Sequence, residues 1–231
     1  MKTLGIIGGM SWESTAEYYR LINEGVRTRL GGLHSAELLI KSVDFHPVEQ
    51  LQVRGDWQTM GRDLAAMAAV LEGAGAEGII LATNTMHKVA PAIEEMIGVP
   101  FLHIADAAAG AIRRAGIERV GLLGTAFTME EEFYRRRMTE RFGIEVMIPP
   151  SEDRRLIHRV IYDELCLGEC RSDSRDEFVR ICEDLGNEGA RGIVLGCTEI
   201  PLLIQQGHLN LPVFDTTAIH CAAAVDFMIH T

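Results

Sequence analysis

The chain is short of the features that mark export, membrane insertion or nucleic-acid binding. Its first apolar stretch, Leu4 to Met10, is brief and broken by glycine, with no charged leader or cleavage site, so no secretory signal is read there. No segment approaches the ~20 continuous apolar residues that a bilayer requires. Basic residues are in the minority, with 22 Lys and Arg against 33 Asp and Glu, and a formal charge of −11 argues against a nucleic-acid surface. The longest basic run, Arg135-Arg136-Arg137, would splay around a helix rather than build a basic face. A cytoplasmic protein with no membrane and no nucleic-acid partner is expected.

Cofactor and metal signatures are also missing. The eight histidines show neither H-x-x-x-H nor H-E-x-x-H spacing, so no metal site is expected. The turn Gly8-Gly9-Met10-Ser11 lacks both the G-x-G-x-x-G pattern and the G-x-x-x-x-G-K-[ST] of a P-loop. It reads as a tight turn that lets backbone approach a small ligand. The few lysines, Lys2, Lys41 and Lys88, stand in no recognisable Schiff-base motif. The cysteines are Cys166, Cys170, Cys182, Cys197 and Cys221, an odd number that suits reduced thiols. Cys166 and Cys170 form a C-x3-C pair with no second pair at zinc spacing, which reads as two residues one helical turn apart.

What the chain does have is an internal repeat. Its 231 residues, 47% of them apolar, suit one large domain or two small ones. Gly5-Ile6-Ile7-Gly8-Gly9 is answered by Gly121-Leu122-Leu123-Gly124-Thr125, an offset of 116. The stretch Gly75 to Thr83 (GAEGIILAT) is answered by Gly189 to Cys197 (GARGIVLGC), an offset of 114 with five of nine positions identical. Val99-Pro100-Phe101-Leu102 is answered by Leu211-Pro212-Val213-Phe214. Between them, Ser14-Thr15-Ala16-Glu17 and Thr128-Met129-Glu130-Glu131 fit capping boxes that start helices. In the first of those helices Tyr19, Ile22, Val26 and Leu30 recur at helical spacing. Apolar runs closed by small residues are buried parallel strands entering turns. The fold expected is α/β, with two pseudo-symmetric Rossmann-like lobes built on parallel sheets. The Pro-headed strands at Phe101 and Val213 read as the crossings between lobes, giving an N-terminal lobe of 1–100 plus 213–231 and a C-terminal lobe of 101–212.

In open parallel sheets ligands bind beyond the carboxyl ends of the strands. The repeat puts Thr83 and Cys197 at equivalent strand ends. If the lobes face one another, these two residues flank one cleft from opposite sides, the arrangement that inversion of a stereocentre needs. Cys197 can carry a proton, and a helix entry after it at Thr198-Glu199 would lower its pKa; alternatively it is a small buried core thiol. Asn84, Thr85 and Thr198 supply donors suited to a carboxylate, or serve as helix N-caps. His87, one turn past Thr83, suits support or capping better than proton transfer.

Together, Gly8-Gly9-Met10-Ser11, Asn84-Thr85-Met86-His87 and Leu195-Gly196-Cys197-Thr198-Glu199 resemble the aspartate/glutamate racemase family. Gly121 to Thr125 and Val43-Asp44-Phe45 add to the resemblance, which covers nearly the whole chain. It implies two pseudo-symmetric α/β domains, an interdomain site, no pyridoxal phosphate or other cofactor, no metal, and a homodimer. It also implies a pair of acid/base cysteines, one per domain. Cys197 matches the second of them, while the first falls on Thr83. A hydroxyl is a far weaker acid than a thiol, so L-substrates should be favoured. By the same resemblance, Met10, Ser11, Gln52, Asn84, Thr85, Thr125 and Thr198 are expected to hold the amino-acid substrate, with His87 and Glu199 behind them. The side-chain contact falls to Gln52, which would admit a range of polar amino acids, or to Arg54, which would favour aspartate and glutamate. The alternatives are a decarboxylase or isomerase of a related dicarboxylic acid on the same scaffold, and a non-catalytic amino-acid sensor.

Overall fold

Leu4–Gly8 is buried along its whole length, as a strand covered on both faces must be, and it forms β1 at the centre of a parallel sheet. In the computed structural model, which describes residues 1–230, β1 pairs with β2 (Leu38–Ser42) on one side and β3 (Gly78–Leu81) on the other. The register sets Ile6 beside Ile40 and Ile80. A second parallel sheet has the order β5-β4-β6-β7, from β4 (Arg119–Gly124), β5 (Glu145–Met147), β6 (Ile193–Gly196) and β7 (Val213–Asp215). Two parallel sheets with helical connections are the α/β architecture that the repeat predicts.

The chain divides into two compact units, Met1–Ile104 with the tail from His220, and Ala105–Ile219. The crossings come a little later than the expected 100/101 and 212/213. Phe101 bridges in parallel to Ile79, with Ile79 N–H donating to Pro100 O and Leu102 N–H to Ile79 O, so it extends the first sheet. Val213–Asp215 pairs with β6 and stays in the second. Ladder bonds, not the prolines, decide where the chain crosses, which it does within the helices Ile104–Arg114 and Thr216–Ile229. Thr231, at the end of the expected first lobe, lies outside the described residues.

Side chains of alternate parity cover the two faces of the first sheet, as strand geometry requires. Ile7, Ile79 and Leu81 pack with Met60, Leu64, Ala68 and Leu71 of the helix Trp57–Gly73. Leu4, Ile6 and Ile80 pack with Tyr18, Ile22 and Val26 of the helix Trp12–Leu30, and with Cys221, Ala224, Val225 and Met228 of the last helix. The buried stripe therefore starts at Tyr18, not Tyr19. Tyr19 and Leu30 are 54% and 40% exposed, because the i, i+4 row that meets the sheet runs Tyr18-Ile22-Val26.

In the second unit Ile157, Val160 and Ile161 are buried from the helix Ser151–Asp163, and Phe178, Ile181, Cys182 and Leu185 from the helix Ser172–Asn187. Gly5 and Gly121 play one role in the two sheets. A Cβ on Gly5 would stand 2.6 Å from Ile79 Cδ1, and one on Gly121 would stand 2.8 Å from Leu185 Cδ1. The arginine run splays as expected, with Arg135 on Glu132, Arg136 on Glu140 and Arg137 on Asp106. Among the described residues no helix is long and apolar enough to cross a membrane.

Candidate functional site

In the first unit the residues singled out by the sequence lie just past the carboxyl ends of β1 and β3, except Gln52 and Arg54, which lie on the helix after β2. After β1, Gly9 has φ +91°, and a Cβ there would run into the backbone of Val43, so the turn requires glycine. Gly9 N–H donates to Thr15 Oγ1 at 2.7 Å, and that hydroxyl donates to Ser11 O at 3.0 Å. Met10 is buried. Ser11 is the N-cap of the first helix, its hydroxyl accepting from Ser14 N at 3.2 Å. The helix thus begins one turn before the expected Ser14 box, because Ser14 and Thr15 are buried within its first turn.

After β3, Thr83 is buried and pinned through its backbone. Its N–H donates to Leu81 O at 2.9 Å, and its carbonyl lies 2.7 Å from His87 Nδ1. Asn84 and Thr85 are buried where the short 3-10 turn Thr85–Val89 begins, and the Asn84 side chain does not cap that turn. Gln52 and Arg54, both on the helix Phe45–Arg54, part company. Gln52 is buried, with Nε2 donating to Met86 Sδ at 3.1 Å, whereas Arg54 is exposed in the last turn.

In the second unit the matching positions carry different chemistry. Thr125 follows β4 and caps the helix Ala126–Glu130, accepting from Thr128 N at 3.3 Å. The expected Thr128 box is displaced by one turn, as in the first unit. Cys197 follows β6 and is 7% exposed. Its thiol donates to Glu199 Oε2 at 3.0 Å, and Thr198 Oγ1 donates to the same oxygen at 2.7 Å. Burial raises the Cys197 pKa well above the ordinary thiol range, and the Glu199 charge and hydrogen bond raise it further. The helix entry that was expected to lower it is a single turn, Ile200–Leu203, too short to offset desolvation. The resting group is a protonated thiol that hands its hydrogen to a carboxylate.

Several polar residues near these strand ends carry no local sequence signal. His158 accepts the Ala126 N–H on Nδ1 at 3.2 Å, and burial lowers its pKa against the charges of Glu130 and Asp163. In the first unit His87, His103 and His220 cluster, with ring centroids 4.4 Å apart for His87–His103 and 5.9 Å for His87–His220. His103 and His220 are buried, and neither stands in a motif that the sequence advertises. Among the described residues no group of three or more His, Cys, Asp or Glu is arranged to hold a metal ion.

Each unit therefore presents a polar residue at the same strand end: a pinned hydroxyl in one and a thiol on a carboxylate in the other. Residues 7–224 match the family model described as Asp/Glu/Hydantoin racemase. Over the full length of both chains, the structure is similar to that of a candidate Asp/Glu racemase from Yersinia pestis, at 55% identity and a TM-score of 0.95. It is also similar, again over both full lengths, to an aspartate racemase homologue from Pyrococcus horikoshii OT3, at 37% identity and a TM-score of 0.88. The aspartate racemase of Picrophilus torridus shares the fold at 21% identity and a TM-score of 0.75, covering 98% of this chain and 95% of that one.

Proposed function

The chain belongs to the Asp/Glu/hydantoin racemase family, and on that premise we propose that it racemises amino acids without a cofactor, with Cys197 as its principal acid/base. The observation that carries the reading is the thiol at the end of β6, donating to Glu199 at 3.0 Å. A core cysteine needs no carboxylate partner, and a binding protein needs no proton carrier. The thiolate takes the α-proton of an L-amino acid, and a water held by the Thr83 hydroxyl returns a proton to the opposite face, solvent replacing that proton and accepting the one gained on the Cys197 side. Proton removal starts with loss of the thiol hydrogen towards Glu199. The incoming substrate's ammonium group favours that step, because a nearby cation opposes both the desolvation and the carboxylate charge that keep the thiol protonated.

The substrate is a small polar amino acid. Gln52, buried beside Met86, presents a neutral amide where an arginine would select a second carboxylate, so a set wider than aspartate and glutamate is favoured. Met10, Ser11, Asn84, Thr85, Thr125 and Thr198 hold the amino and carboxylate groups, and the protein works in the cytoplasm as a homodimer. The test is Cα–deuterium uptake followed by NMR, for a panel of L- and D-amino acids without added cofactor. Uptake from L-amino acids with accumulation of the D-enantiomer is expected. Release of carbon dioxide from a dicarboxylic acid with no exchange on amino acids would favour the decarboxylase alternative instead. Saturable amino-acid binding that survives alkylation of Cys197, again with no exchange, would favour the sensor.

A further inference from the structure

Two buried histidines of the first unit have no part in those proton transfers, yet hydrogen bonds link them to Thr83. The Tyr18 hydroxyl lies 2.9 Å from Nδ1 of His220, and Nε2 of His220 lies 2.7 Å from Leu102 O. A carbonyl only accepts, so the His220 hydrogen is on Nε2. Burial keeps this ring neutral, pushing its pKa down to about 4, so Nδ1 accepts from Tyr18. Two residues further along the chain, Ile104 N–H donates to Nε2 of His87 at 3.2 Å. The His87 hydrogen must then sit on Nδ1, from which it is donated to Thr83 O at 2.7 Å. The two rings hold opposite tautomers and share the backbone from Leu102 to Ile104.

We propose that His87 is a positioning residue for Thr83, with its tautomer held by Ile104 and the shared backbone held in turn by His220 and Tyr18. The role deepens the racemase reading and rests on it. Thr83 N–H is already bound to Leu81 O, so the His87 bond fixes the second of its two backbone polar groups. With both groups held, the direction of the hydroxyl depends on χ1 alone, and a β-branched side chain has few χ1 choices. A flip of the His87 tautomer would set Nε2–H against Ile104 N–H, two donors facing each other in a buried site, so the ring cannot release Thr83 cheaply. All four nitrogens of the two rings are engaged, which makes the pair a scaffold and not a metal site.

Two substitutions separate the ends of the His87 ring. His87→Asn keeps an N–H donor near the position of Nδ1, whereas His87→Gln reaches only the Nε2 end and loses the donor to Thr83. The measurement compares L-to-D conversion with Cα–deuterium uptake by the L-substrate, using L-aspartate and L-glutamate in deuterium oxide. Uptake needs only the Cys197 side, while conversion also needs Thr83. His87→Gln is expected to lower the conversion-to-uptake ratio on the order of 10- to 100-fold, the scale of a misplaced group, and His87→Asn by no more than about threefold. Equal loss of both rates in the two variants would show a merely structural residue and overturn the proposal, as would an unmoved ratio in His87→Gln. Should either variant fail to fold, 15N NMR of histidine-labelled native protein decides: His87 as the Nδ1–H tautomer and His220 as Nε2–H are expected, and reversed or averaged tautomers overturn it. Absence of both exchange and conversion in the native protein across the whole amino-acid panel would instead sink the racemase reading, and this role with it.

Discussion

Thr83 and Cys197 stand at matching points of the repeat, each just past a buried strand, but they are held by different means. Thr83 is held by its backbone, between Leu81 and His87. Cys197 is held by its side chain as well, through the bond from Sγ to Glu199, while its carbonyl accepts from Ile200 N–H at 3.3 Å. At the offset of 114 that relates the two residues, the place of His87 is taken by Pro201, which has no donor to give. The helices behind them differ in the same way. Tyr18 and Tyr134, an offset of 116 apart, are both fully buried. The Tyr18 hydroxyl bonds to His220, whereas that of Tyr134 has no hydrogen-bond partner among the described residues. The repeat has kept strands, turns and caps, while the polar groups behind the strand ends have diverged. One unit supplies a group that can be ionised, and the other a group that can only be aimed.

The most severe way to break this comparison is to remove the thiol. Cys197→Ala should cost racemisation and L-side exchange ~10²–10⁴-fold while the far-UV CD spectrum is retained. A variant that keeps more than about a tenth of native kcat would refute the acid/base assignment. Making the two ends alike is the complementary change. Thr83→Cys puts a thiol on the backbone clamp of His87, and turnover of D-aspartate and D-glutamate should rise relative to the L-forms. Equal native rates from both enantiomers, or no D-side gain in a folded variant, would separate Thr83 from the chemistry.

The buried His220 makes the first unit sensitive to acid. Its pKa in the folded protein is about 4, against ~6.5 for an unperturbed imidazole. The unfolded chain therefore binds the extra proton first, and the stability that depends on a neutral ring is complete above pH ~6.5 and is lost as pH falls towards 4. Between pH 7.5 and 5 this residue alone should account for roughly 2 kcal/mol. Urea titrations of the native protein and His220→Gln should show a correspondingly shallower pH dependence in the variant; parallel curves would contradict a neutral buried ring.

A finer contrast comes from the two tyrosines. Tyr18→Phe strips a donor from a buried nitrogen and should cost about 1 kcal/mol or somewhat more. Tyr134→Phe removes a hydroxyl with no partner to lose and should leave the urea midpoint unchanged or slightly raised. Equal losses at the two positions would mean that the hydroxyls are equally satisfied. The smallest change lies at Glu199. Glu199→Gln removes the charge that helps to raise the Cys197 pKa, so iodoacetamide labelling of Cys197, followed by mass spectrometry, should reach half-maximum at a lower pH. An unmoved profile would leave burial as the sole cause of the raised pKa.

Much of this molecule could be read in one dimension. Two parallel sheets followed from glycine-flanked apolar runs, and the equivalent positions of Thr83 and Cys197, each just past a strand, followed from the repeat. The helix starts were misplaced by one turn, since Ser11 and Ser14 are both good caps and only burial of Ser14 and Thr15 decides between them. Reading the stripe from Tyr19 fails for a related reason: Tyr18 stands four residues before Ile22 and Tyr19 three, both helical spacings, and only contact with the sheet selects Tyr18.

By itself the sequence determined the class of fold, the doubling of its plan and the residue type at each strand end, because strand burial and repeat register are written in local apolar patterns. Tertiary structure alone decided that Gln52 turns inward and Arg54 outward, that the Cys197 pKa is raised rather than lowered, and that His87 and His220 hold opposite tautomers. Those outcomes depend on desolvation and on hydrogen bonds between residues far apart in the chain, such as Tyr18 and His220, and no local pattern encodes which distant partner a buried polar group will meet.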